Sequence, residues 1–428
     1  MEVQSREHTN PGHATAAVRP EPAPQEWKRT MWLLWICLFL TSAGITMVVP
    51  FLAIYVQELG VTDVKEAAVW ASVIFAVNHV VIALMSPFWG KISDRYGQKR
   101  LIVLSGIAMG LVMAAMGFAL IPLHLLALRI VFGLANAVFP AAQTMLSIQT
   151  PKEHIGHAVG TVQTGNMLGQ LLGPLIGGVL AEAFGMRSSF FITGACLTAA
   201  ALLVLILCRE QRVAGSGATV RKSAAPVTFK RMISESPVLL QLMLCGFLMS
   251  ASLQSISPIL PLYLKMLNVT EQLSLISGLM FAAQGLGMMI ASPVLGRLGD
   301  RIGHGRILIA SVIVMGILHV PQALIQDPWS LLVARFLTGI SIGGLITSVM
   351  SLMRHLTPLE LQGTAQGYNS SFNSVGNVSG ALLGGLLVSQ VGIAAVFYLL
   401  TALFLIYTLV LLRYRPALRC DAPLASTS

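Results

Sequence analysis

Two pairs of carboxamides recur in this chain at an offset of 207 residues: Asn166 with Gln170, and Asn373 with Asn377. Each pair is spaced i, i+4, which puts both side chains on one face of a helix, and Gln163 and Asn369 extend those faces. A carboxamide donates and accepts hydrogen bonds without carrying charge, so such a face either grips a polar molecule or binds one helix to the next. His79, beside Asn78, and His319 lie inside apolar runs, where an imidazole either carries a proton near neutral pH or serves as a hydrogen-bonded structural group. Arg129 and Arg335 enter apolar runs too, in L-A-L-R-I-V-F-G and L-V-A-R-F-L-T-G, at an offset of 206 that also matches Gly133 with Gly339. A guanidinium there must snorkel to a polar surface, find a partner or face water. All 17 Asp and Glu residues fall in loops, tails or segment ends, which leaves no carboxylate deep in an apolar run to carry a proton or draw in a cation. No nucleophile with its base, metal-ligand cluster or phosphate loop is found, so the chain reads as no enzyme, with no cofactor and no metal.

The elements that position these groups follow from composition. Only 10% of the 428 residues are charged, against about a quarter in a soluble protein, while 55% are hydrophobic and the mean hydropathy is +0.77. Such a chain belongs in a lipid bilayer. Crossing one takes about 20 largely apolar residues. Twelve segments are read as spans, centred on 31–57, 67–88, 101–121, 123–148, 158–181, 188–208, 237–264, 273–295, 307–325, 329–353, 363–389 and 392–412. The eleventh, G-T-A-Q-G-Y-N-S-S-F-N-S-V-G-N from Gly363, is too polar to pass a hydropathy window alone and is admitted because it aligns with the fifth. An even number of spans puts both termini on one side. With that side cytoplasmic, only Lys65, Arg187 and Lys265 of the 27 Lys and Arg residues fall in the opposite loops, with Arg129 and Arg335 inside spans, as the positive-inside rule requires. The net charge of +10 is thus read as membrane orientation, with no nucleic acid as partner. Five cysteines, odd in number and irregular in spacing, suggest neither a disulfide framework nor a metal site.

A longer repeat marks the halves. P-F-W-G-K-I-S-D-R-Y-G-Q-K-R, from Pro87 to Arg100, returns as P-V-L-G-R-L-G-D-R-I-G-H-G-R, from Pro293 to Arg306. On the fifth span G-N-M-L-G-Q-L-L-G-P-L-I-G-G sets Gly165, Gly169, Gly173 and Gly177 four apart, with Pro174 and Gly178 beside them. Glycines so spaced form a stripe that a neighbouring helix can approach closely, and the proline removes one backbone hydrogen bond. The stripe survives in the eleventh span as Gly376, Gly380, Gly384 and Gly385, but Ala381 replaces the proline. The expected organisation is a polar tail over 1–30 without a cleavable signal peptide, a six-helix bundle over 31–208, a basic linker over 209–236, a second bundle over 237–413 and a tail over 414–428.

The G-x-x-x-D-R-x-G pattern resembles the loop joining the second and third helices of major facilitator superfamily transporters. From Trp32 to Leu412 the chain is similar to the twelve-span drug:proton antiporters of bacteria within that superfamily, down to the first-span ending V-V-P-F-L-A-I-Y and its echo S-P-I-L-P-L-Y. The resemblance implies an all-α membrane protein of twelve transmembrane helices in two pseudo-symmetric six-helix bundles. It makes Gly90, Asp94, Arg95, Gly97, Arg100, Gly296, Asp300 and Arg301 the gate residues, with Asp94 holding together the cytoplasmic helix ends of the two halves. The start of the eleventh span near Gly363 is a plausible target, since a carboxylate suits the exposed N–H groups of a helix N-terminus. It also makes Arg129 a proton-coupling candidate beside His79, and the run from Gly165 to Gly178 the motif that separates exporters from symporters. The carboxamides Gln163, Asn166, Gln170, Asn369, Asn373 and Asn377 are expected to line opposite walls of a substrate cavity, with interhelical bonding as the alternative. Expected partners are a small-molecule substrate, protons and the lipid bilayer, for a monomer in the cytoplasmic (inner) cell membrane. Without a cavity acid, neutral and zwitterionic substrates stand level with cations. An importer or metabolite exporter of the same fold and a non-transporting receptor or scaffold are the alternatives; the Gly-Pro run argues against the importer and the repeated amides against the scaffold.

Overall fold

A computed structural model describes residues 24–151, 154–208, 236–269, 271–357 and 361–414, and among them every regular element is helical. The first span is Pro24–Met47, a 3-10 turn at Val49–Phe51 and Leu52–Glu58; the second is Val64–Tyr96 and the third Gln98–Met116. The fourth is Pro122–Ala135 with Val138–Gln149, the fifth Ile155–Phe184 and the sixth Met186–Leu207. The seventh is Pro237–Ile256 with Leu260–Met266, followed by Leu273–Ile302, His304–Leu324, Pro328–Leu356, Gln362–Gln390 and Ile393–Arg413 as the eighth to twelfth. Eleven spans are long and apolar enough to cross a membrane unaided; Gln362–Gln390 is the exception, as its sequence predicts.

Three local differences from the sequence reading have physical causes. The first helix starts at Pro24 rather than Met31, because Trp27 buries its ring in a stack on His154, centroids 5.1 Å apart. The remaining expected tail and linker residues lie outside the described ones, apart from Ser236 and Tyr414. The first and seventh spans are broken near their tips, where Pro50 and then Pro258 and Pro261 interrupt the hydrogen-bond ladder. The repeated basic stretch is mostly helix rather than loop: the second span runs on to Tyr96 and the eighth to Ile302, each turning into its successor on one glycine. Those glycines, Gly97 at φ 90° and Gly303 at φ 95°, take a left-handed conformation that a side chain would strain.

Packing repeats with the sequence. Span 1 lies on 5 as 7 lies on 11, 2 on 4 as 8 on 10, and 3 on 6 as 9 on 12; the halves meet where 2 packs on 11 and 5 on 8. The glycine stripes carry the tightest of these pairs. A methyl group on Gly165 would meet the Trp35 carbonyl, on Gly169 the Phe39 carbonyl, on Gly173 Thr46 and Ala43, and on Gly177 the Met47 carbonyl. Likewise Gly376, Gly380 and Gly384 meet the carbonyls of Phe247, Ala251 and Ser255. In a bilayer helices gain little by hiding apolar surface from water, so this backbone-to-backbone approach supplies the dispersion contact that holds them. Pro174 sits within the fifth helix, which continues past it to Phe184. Gly380→Val forces the seventh and eleventh spans apart. Overpacking of this kind costs about 1–3 kcal/mol, and the expected result is a lower melting temperature in detergent, with Gly160→Ala, which meets nothing within 4 Å, as the unchanged control.

Candidate functional site

At the end opposite the termini the two halves interlock. A methyl group on Gly178 would strike the Ser274 carbonyl, one on Gly278 the Pro174 carbonyl at 2.5 Å, and one on Gly385 the Ser72 hydroxyl and the Ala68 carbonyl. Gly285 lies against Leu171, and Lys265 Nζ donates to Gln57 Oε1 at 3.0 Å, tying the tip of span 7 to the tip of span 1. Nearer the termini the described glycines of spans 5 and 11 make no such contact with the other half. Gly160 and Gly367 have nothing within 4 Å of a notional methyl group, and Thr164, Gln366, Ser370 and Ser371 are exposed. Polar side chains on a membrane-crossing helix are tolerated where they meet water, so these residues are expected to face a crevice between the halves that opens toward the termini. The polar face of span 11 that fails the hydropathy test is the expected wall of that crevice.

The repeated carboxamides have unlike surroundings. Asn166 is buried and its Oδ1 accepts from the Ser42 hydroxyl of span 1 and from Gln170 Nε2 at 3.2 Å, the geometry of an interhelical bond. Gln170 is exposed beyond it, and Gln163 is partly buried. In the second half Asn369 is buried and Asn373 partly so, and neither Oδ1 has a hydrogen-bond partner. Both oxygens lie beside Gly246 of span 7. Asn377 is partly buried one turn further on.

His79 projects from span 2 toward the other half, with its Nε2 3.3 Å from the Gln254 amide nitrogen of span 7 and its ring against Phe75. His319 is fully buried, 3.0 Å from Ser252 Oγ and 2.5 Å from the Met315 carbonyl, and stacked on Phe404; the set satisfies a neutral structural imidazole. Arg129 and Arg335 are each 3% exposed, so neither snorkels to a surface. Arg129 Nε, Arg335 Nε and one further Arg335 nitrogen find no partner, and the Arg129 guanidinium lies 5.9 Å from the Phe132 ring centre. One turn on, Gly133 meets Val81 and the Asn78 carbonyl, so Arg129 stands against the part of span 2 that carries His79.

Of the gate residues, the surroundings of Gly90, Asp94 and Arg95 lie outside what is described, as do those of Gly363. Gly97 makes the turn already noted, and Arg100 and Arg301 are exposed. Gly296 has only Thr347 at 4.0 Å, and Asp300, 71% exposed, lies 3.0 Å from His304 Nε2 across the Gly303 turn. Gln254, Ser42, Lys265 and Gln57 were not singled out in the sequence. For Gln254 and Ser42 the signal was a polar residue within an apolar span; for the Lys265–Gln57 pair, far apart in sequence, there was none.

Comparison with known proteins places this geometry. Residues 34–282 and 242–419 match the profile of the Major Facilitator Superfamily. The multidrug resistance protein MdtG of Rahnella sp. is 37% identical over 405 residues, covering 92% of this chain and 95% of its own, and that of Dickeya zeae is 36% identical over 396 residues, covering 90% and 94%. The crystal structure of the nucleoside transporter NupG superposes with a TM-score of 0.74 at 12% identity, over 90% of this chain and 98% of that one. A bacterial homolog of the human lysosomal transporter Spinster, in its inward-facing and occupied conformation, gives 0.70 at 14% identity, over 92% and 96%. These last two show likeness of fold.

The crevice has a direct test. With cysteines at Gln57 and Lys265 joined by a short bis-maleimide, Ser370→Cys is expected to stay reactive toward a water-soluble maleimide added from the side of the termini. An unreactive Ser370→Cys would mean that the crevice is closed on that side.

Proposed function

The chain belongs to the major facilitator superfamily, and from that premise we propose that it expels amphipathic drugs by alternating access, driven by protons moving inward. It is a multi-pass transporter of small molecules, and the relatives it matches along nearly their whole length are named for multidrug resistance. The observation that carries alternating access is that, among the described residues, glycines interlock the two halves at one end and not at the other. Rocking about the 2–11 and 5–8 contacts exchanges the two ends around a fixed site. The bias of Lys and Arg supports an inner-membrane location with both termini in the cytoplasm, so the crevice faces inward in this state. The bundles at 31–208 and 237–413 are the moving bodies, and the transporter acts as a monomer.

For proton coupling the reading rests on His79, which faces Gln254 across the division between the halves. Protonation turns Nε2 from an acceptor into a donor, so the contact with the Gln254 amide nitrogen must break or rearrange, and the protonation state is tied to the separation of the halves. Asp94 is the corresponding inner gate, closing the end that is open here. In everted vesicles, adding a drug panel is expected to discharge a preformed proton gradient, and His79→Gln is expected to lower that discharge at least tenfold. A gradient unaffected by any drug would remove the antiporter reading; intact drug-driven discharge in His79→Gln would remove His79 as the carrier.

A further inference from the structure

We propose that the second half carries a hydrogen-bond acceptor site, made by Asn369 Oδ1 and Asn373 Oδ1 over Gly246, that takes an N–H or O–H donor of the transported molecule. The inference rests on the efflux reading for its ligand but on the geometry of spans 7 and 11 for its existence.

The argument begins with two oxygens that lack what their counterpart has. Asn166 and Asn373 are equivalent under the internal repeat, and the packing agrees: Gly169 lies on the Phe39 carbonyl and Ser42 as Gly376 lies on the Phe247 carbonyl and Ser250. In the first half the Asn166 oxygen is used up by Ser42 and Gln170. In the second half Asn373 Oδ1 has no donor, although Ser250 stands where Ser42 does, and Asn377, one methylene shorter than Gln170, does not reach back to it. The Asn373 oxygen points instead toward Gly246, and the Asn369 oxygen joins it: a methyl group on Gly246 would run into the first and come within 3.0 Å of the second.

A second comparison shows that this spot is built differently from its twin. The positions equivalent to Gly246 and Asn369 in the first half are Leu38 and Val162, both buried and apolar. There two hydrocarbon side chains fill the seam between spans 1 and 5. In the second half the leucine has become a glycine and the valine an asparagine. The exchange removes bulk on one helix and adds an acceptor on the other. A buried acceptor without a donor loses its bonds to water and gains none in exchange. Two of them converging beside a glycine make a place where an incoming donor recovers that loss.

Both oxygens are themselves buried in this conformation. Asn373 as a residue is only partly buried, on the helix face that carries the exposed Gln366 and Ser370, so a turn of its side chain toward that face presents the acceptor to an incoming donor. Both unsatisfied atoms are acceptors and neither carries a formal charge, so the group they select is a donor: an amine, an amide N–H or a hydroxyl. Substrates without a donor would bind by their apolar surface alone. This gives a multidrug cavity one directional contact, supplied by the second half only.

The test uses the full-length protein in lipid nanodiscs and two aromatic cations: ethidium, whose ring amines donate, and tetraphenylphosphonium, which has no N–H or O–H. Equilibrium binding of ethidium is expected to weaken about tenfold in Asn369→Leu and Asn373→Leu, the scale of one good hydrogen bond. Gly246→Ala, whose methyl group takes the place of the donor beside the two oxygens, is expected to weaken ethidium to a similar degree with both asparagines intact. Tetraphenylphosphonium binding should stay within about twofold throughout and reports that each variant is folded. Equal loss of both probes would make the asparagines packing residues, no loss of either would mean a buried water only, and a wild-type protein that binds neither would also overturn the site. Export in vesicles is scored separately: selective loss of ethidium binding in a protein that exports nothing would sink the efflux reading and leave the site standing.

Discussion

Everything in this bundle depends on how closely two helices can approach when no side chain stands between them. Within each half one pair, spans 1 and 5 or spans 7 and 11, is joined by glycines resting on the partner's carbonyls. Lipid tails are as apolar as leucine, so large side chains would give such a pair no preference for each other over lipid. Close backbone contact does. The same device reappears between the halves, at Gly178, Gly278 and Gly385, and among the described residues only at one end. Contacts of this kind hold firmly when seated and vanish when the helices separate by little more than a methyl group. They suit a surface that must be both sealed and released.

Much of this was legible in the sequence because duplication prints every feature twice. The repeated Asp-Arg stretch, the paired arginines and the glycine stripes each located one half by reference to the other, and the polar eleventh span was recovered only through its match to the fifth. The structure shows where that polarity sits: Gln366, Ser370 and Ser371 are exposed on the half of span 11 nearer the termini. Spacing showed that the carboxamides share a helix face. It was silent on whether each amide would find a donor, since that depends on Ser42 more than a hundred residues away from Asn166.

The histidines make the same point. His79 and His319 look alike in the chain, each an imidazole inside an apolar run. Folding closes His319 between Ser252, the Met315 carbonyl and Phe404, and leaves His79 facing Gln254 across the division of the halves. The partners that separate a structural group from one able to change state are Ser252 for His319 and Gln254 for His79, both on span 7, so no local pattern around either histidine encodes them.

The interrupted first and seventh spans carry one further implication. Beyond each interruption a tyrosine is fastened to its own half: the Tyr55 hydroxyl donates to the Met116 carbonyl at 3.1 Å and the Tyr263 hydroxyl to the Gln322 carbonyl at 2.7 Å. The tips are therefore riveted to the outer ends of spans 3 and 9, while the shafts below follow spans 5 and 11. Bending concentrates at Val49–Phe51 and around Pro258, so each of these helices behaves as a jointed arm rather than a rod, with its wrist fixed to the rim and its forearm free to swing with the wall of the cavity.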